Sequence, residues 1–94
     1  MSKTTTTTTK GATVATFTTQ GQEGAIRMTA GSYFVDFGTL EEQECSNMAL
    51  AMRRMLVIIG TFPAKVRDSR GVAITTNDLI AMRADSEAMF GPLS

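Results

Sequence analysis

A chain of 94 residues is the size of one domain, and 9 basic against 9 acidic side chains leave no formal net charge, so there is no global pull toward nucleic acid or an anionic membrane. Histidine is absent, which excludes a Ser-His-Asp or Cys-His apparatus built from this chain. The single cysteine, Cys45, excludes a disulfide framework and leaves zinc without its usual ligands.

The charge is divided along the chain. Residues 36–50 carry Asp36, Glu41, Glu42 and Glu44 for a net −4, and residues 51–74 carry Arg53, Arg54, Lys65, Arg67 and Arg70 against Asp68 for a net +4. Carboxylates early in a helix and arginines late in it would match the helix dipole. The same split also describes a two-signed surface on which identical subunits dock head to tail.

Residues 1–10 form a low-complexity arm, with threonines from Thr4 to Thr9 between Lys3 and Lys10. The run holds too little apolar surface to fold alone. Threonine has high strand propensity, however, so a neighbour with an open sheet edge can take the arm as an added strand. Residues 11–94 are expected to form a single small α+β domain. The start of the chain shows no apolar signal segment. No apolar run exceeds the five residues Met55–Ile59, against the roughly 20 a membrane span needs. The expected location is intracellular, in a host cytoplasm or within an assembled particle.

Residues 12–37 read as a three-stranded antiparallel meander. Ala12–Thr18 is rich in threonine and β-branched residues, and turn residues from Gln20 to Gly24 follow it. Ala25–Thr29 alternates, with Ile26 and Met28 opposed to Arg27, and Ala30-Gly31-Ser32 forms a second turn. In Tyr33–Phe37, Tyr33, Val35 and Phe37 alternate with Phe34 and Asp36.

Thr39–Ile59 reads as one long helix packed on that sheet. Thr39 stands at the cap with Glu42 three residues on, the capping-box pattern. Cys45, Met48, Met52, Met55 and Ile59 follow in steps of 3, 4, 3 and 4, which keeps them on one helical face. That face is mostly methionine and therefore adaptable. Leu56, Val57, Ile58 and Ile59 make the far end apolar all round, so a second body is expected there. Gly60 suits the position just past the helix, and Pro63 prevents its continuation.

Residues 64–74 are consistent with a short hairpin, Lys65–Arg67 and Val72–Ile74 about Asp68–Gly71, or with an irregular loop. A C-terminal helix is predicted from about Asn77 to Phe90, with Thr75 as its cap, Asp78 at the box position and Gly91-Pro92 as its stop.

Chemistry-bearing motifs are absent. There is no phosphate-binding GxxxxGK[ST] and no GxGxxG, and the glycines fall at turns. Glu41, Glu42 and Glu44 lie where water reaches them, and Cys45 among carboxylates is a small hydrophobe rather than a thiolate. No cofactor and no metal are expected. The chain reads as a non-enzymatic, self-associating structural or adaptor protein, in the style of small virus-encoded virion or accessory components. The expected interface residues are Met52, Met55, Ile58 and Ile59, oriented by Arg53 and Arg54. The expected partners are further copies or a larger protein assembly, and no membrane. The alternative is a small binder of nucleic acid, or an inhibitor of a partner protein, that uses Arg53, Arg54, Lys65, Arg67 and Arg70 as one basic cluster.

Overall fold

The computed structural model describes residues 11–93 as an α+β domain. Its elements in chain order are β1 (Ala12–Thr19), β2 (Gln22–Thr29), β3 (Ser32–Phe37), β4 (Leu40–Cys45), α1 (Met48–Ile59), β5 (Ala64–Asp68), β6 (Ala73–Ile74) and α2 (Thr76–Phe90). The strands form one six-stranded antiparallel sheet in the order β4-β3-β2-β1-β5-β6. The predicted meander is thus the middle of a larger sheet. The expectation of an added strand from Thr4–Thr9 lies outside the described residues.

Short turns set the register. Gln20 and Gly21 both have positive φ, 54° and 75°, so β1 and β2 are joined by the tight two-residue turn whose twist suits a hairpin. Across the sheet, Phe17 of β1 and Phe37 of β3 flank Gly24 of β2. Their rings stack above it with centroids 5.6 Å apart. A β-carbon on Gly24 would lie 2.4 Å from the Phe17 ring and 2.5 Å from the Asp36 carbonyl oxygen. Glycine is therefore required for the two rings to meet.

The helices occupy one face of the sheet. Ala15, Phe17, Ile26, Val35, Phe37 and Val66 from the strands enclose one core with Ala51, Met55, Leu56 and Ile59 from α1. α1 lies over β2, β3 and β4, and α2 lies on α1. Thr19 is buried, and its hydroxyl donates to the Pro63 carbonyl at 2.8 Å, which ties β1 to the loop entering β5.

The first half of the predicted long helix is a strand. Residues 40–45 pair with β3, Glu44 opposite Phe34 and Cys45 opposite Tyr33. The helix begins only after Asn47, whose Oδ1 accepts the Leu50 amide at 2.9 Å. Thr39 accordingly caps nothing, and the acidic cluster lines a sheet edge rather than a helix start. Strand pairing overrides the local capping pattern because Tyr33 and Phe34 offer both a ladder and cross-strand contacts. The later boundaries match expectation. Gly60 ends α1 at φ 58° and donates to the Leu56 carbonyl, while Thr75 Oγ1 accepts the Asp78 amide at the start of α2.

Candidate functional site

The helical face named from the sequence serves mainly the interior. Met55 and Ile59 are buried in the core, so they offer no surface to a partner of the folded domain. Met52 and Ile58 are half-buried and pack against that core. The spacing groups Met48, Met52, Met55 and Ile59 on α1, but Cys45, the first member of that seam, lies in β4, and the body that Met52, Met55 and Ile59 pack into is this chain's own core.

Arg53 is committed within the fold. Its Nη1 donates to the carbonyl of Gly91 at 2.9 Å and, at longer range, to the Ser86 carbonyl and hydroxyl. Nη2 donates to the Pro92 carbonyl at 2.6 Å, and the guanidinium lies 5.6 Å from the Phe90 ring centroid. Arg83 of α2 makes the reciprocal contact, donating to the Gly60 carbonyl at the end of α1. Neither helix has a basic residue in its own last turn. Each negative helix end is therefore served by an arginine of the other helix. Ser86, the buried residue of α2, sits under this clamp.

α2 sets Leu79 and Met82 against the core and leaves its other large apolar groups outside. Ile80, Met89 and Phe90 are exposed, together with Phe62 in the loop after α1. Two shallow grooves border them. One, of about 160 Å³, runs between the helices past Ala49, Met52, Met82 and Met89. The other, of about 410 Å³, lies at the end of α1 beside Phe62, Leu79 and Ile80.

The five basic residues grouped in the sequence are not one patch. Arg54 lines a depression with Gln43, Glu44 and Cys45, at the β4 end of the molecule. Lys65 and Arg67 flank buried Val66, so they project from the sheet face opposite the helices, beside Thr18 and Thr16. Arg70 occupies the tip of the β5–β6 hairpin with its side chain 82% exposed. Asp68 builds that tip by accepting the amides of Arg70 and Val72 at 2.8 and 3.0 Å. Those amides, Val72 first, hold its carboxyl below the usual range. Arg67 closes the hairpin by donating to the Gly71 carbonyl at 2.9 Å.

Four strand spacings, about 19 Å, separate β5, next to the edge strand β6, from β4 at the opposite edge. There Glu41, Glu42 and Glu44 are exposed, and Glu44 accepts from the Ser32 hydroxyl at 2.7 Å. Partial burial raises the Glu42 pKa, and the nearby Asp36 carboxylate adds to it. Asp36 itself pairs with Arg27. Burial likewise raises the Cys45 thiol, which keeps it protonated and dulls it as a nucleophile. Each end of the sheet also exposes one large aliphatic group, Leu40 beside the glutamates and Val72 beside Arg70.

The hairpin over 64–74 was legible as one of two options. Its attachment to β1, which puts the basic residues at one end of a continuous sheet, was not. Leu40 and Val72 carry no periodic signal and were missed. Among the described residues, no group of three or more acidic or cysteine side chains is arranged to hold a metal ion. No helix among them is long and apolar enough to cross a membrane. No protein-family model, curated protein or solved structure matches the chain.

Proposed function

We propose that the protein is a non-enzymatic structural or adaptor subunit that associates with further copies of itself, head to tail, through the two ends of its sheet. The observation that carries this reading is the placement of acidic residues along one edge of the sheet and of basic residues on the hairpin at its opposite end. Glu41, Glu42 and Glu44 stand with exposed Leu40 at one end, and Lys65, Arg67 and Arg70 stand with exposed Val72 at the other. Like ends repel, unlike ends attract, and the apolar residue at each gives the contact a dry centre. A contact between two different patches leaves one of each patch unused, so it propagates into a ring or filament.

The test is a charge swap followed by mass measurement during size-exclusion chromatography. The unaltered chain should associate at low salt and dissociate as salt rises. Glu41→Lys/Glu42→Lys/Glu44→Lys and Lys65→Glu/Arg67→Glu/Arg70→Glu should each be monomeric alone, and mixing the two should restore association. A monomeric parent chain at high concentration and low salt would refute the proposal.

A second reading has one specific observation behind it. Lys65 and Arg67 share with Thr16, Thr18 and half-buried Phe34 the sheet face that neither helix covers, a surface suited to a single-stranded nucleic acid backbone. Arg53 and Arg54 do not join it. This reading expects an oligonucleotide to bind the parent chain and to be lost on Lys65→Ala/Arg67→Ala.

A further inference from the structure

β4 is an edge strand of the described sheet, and its composition discriminates between strands that might pair with it. Three of its six residues are glutamates, and its pairing with β3 is interrupted by a bulge opposite the stretch from Val35 to Phe37. Charged edges of this kind oppose indiscriminate pairing. Carboxylates on both sides would repel a second β4. They would attract a strand that carries lysine.

The chain itself contains such a strand. Thr4–Thr9 equals β4 in length, has high strand propensity, and is bracketed by Lys3 and Lys10. Its point of departure is defined. Gly11 lies so close to the Met28 carbonyl that an added β-carbon would sit 1.7 Å from that oxygen, so the chain leaves β1 against the end of β2. The β5–β6 tip lies at this same end of the sheet, because β5 runs antiparallel to β1 with Asp68 opposite Ala15. The start of β1 and the basic tip therefore lie at the same end of the sheet.

We infer that β4 takes the Thr4–Thr9 segment of a second copy as an added strand, with Lys3 and Lys10 set against Glu41, Glu42 and Glu44. This rests on the self-association reading and names the contact that closes it. Backbone hydrogen bonds to the β4 edge supply affinity, and the lysine-glutamate match supplies direction. Reach favours a second copy over the same one. Turning back across β2 and β3 to its own β4 spans three strand spacings and would use about four residues of the arm. A contact with a neighbour requires no such crossing and leaves the whole threonine run available.

The test uses full-length chains. Amides in a strand point alternately to its two sides, so prolines at two consecutive positions must remove at least one donor facing β4. Thr6→Pro/Thr7→Pro should weaken association about tenfold or more. Thr6→Val/Thr7→Val should leave it unchanged. The proline chain keeps an intact β4, and Glu41→Lys/Glu42→Lys/Glu44→Lys keeps an intact arm. Each alone should be monomeric, and an equal mixture should give a two-chain complex that grows no further. Association of the proline chain at parental strength would overturn the inference while leaving charge-driven self-association standing. A mixture that stays monomeric would also overturn it, as expected for an arm that folds onto its own β4. A parent chain that never associates would instead remove the underlying reading.

Discussion

The two helices are held by different physics. α1 presents Ala51, Met55, Leu56 and Ile59 to the sheet and shares in the one core, so its place in the fold is set by apolar burial. α2 is longer, yet its one fully buried residue is a serine, and Leu79 and Met82 pack only half-buried against the core. It is held in addition by two arginines, Arg53 of α1 reaching to Ser86, Gly91 and Pro92 at its C-terminal end, and Arg83 from its middle reaching to Gly60. Apolar burial is non-directional and cooperative across the whole core. A few charge-assisted hydrogen bonds hold one element locally, and that element can open without the rest. The difference predicts a stable sheet-and-α1 body with a separately releasable outer helix.

Methionine substitution probes this difference most strongly. Met55→Ala removes a fully buried side chain and should cost about 2–5 kcal/mol of global stability in a denaturant titration. Met89→Ala, on the exposed outer part of α2, should fall within about 0.5 kcal/mol of the parent. Comparable losses at the two sites would mean that α2 belongs to the same packed core, and the distinction would fail.

The arginine clamp gives the next effect in size. Arg53→Ala should cost about 1.5 kcal/mol, seen as faster amide exchange confined to α2 and residues 91–93 while β1, β2 and α1 keep their protection. Arg53→Lys should recover only part of it, because an ammonium cannot hold the Gly91 and Pro92 carbonyls with the spread of a guanidinium. Uniform loss of protection over the whole domain would contradict a local role for the clamp.

These contacts mark where sequence reading stops. The alternation in β2 and β3, the ends at Gly60 and Gly91 and the Thr75 cap are local signals that the fold keeps, whereas the turn read over Gln20–Gly24 shrinks to Gln20 and Gly21, because Gly24 is needed inside β2 beneath the two stacked rings. Residues 40–45 read locally as helix because Thr39 and Glu42 imitate a capping box. A solvated edge strand also has no need of alternating apolar residues, so nothing in it countered that imitation. The 3-4 spacing of the methionines identified a true face, but periodicity names a face without naming what covers it. Val66 meets Phe17 across 49 positions, and Arg53 meets Gly91 across 38. No local pattern encodes such pairs, which is why the six-stranded sheet, the division of the basic residues and the reciprocal clamp emerge only in three dimensions.

The two helix caps provide the smallest and sharpest comparison, because the same chemistry occurs at both. Asn47 Oδ1 accepts the Leu50 amide at 2.9 Å, and Thr75 Oγ1 accepts the Asp78 amide at 3.1 Å. Replacing either by alanine should cost about 1 kcal/mol at the helix concerned. The readouts should differ. Asn47→Ala weakens an element that unfolds only with the core, so its cost should appear in full as a lower denaturation midpoint. Thr75→Ala weakens an element that opens on its own, so its cost should appear as faster exchange within α2, with little change in that midpoint. Thr39→Ala, at the position where sequence alone placed the cap, should change neither. A loss at Thr39 equal to that at Asn47 would return residues 40–45 to the helix and remove the acidic sheet edge on which the assembly model depends.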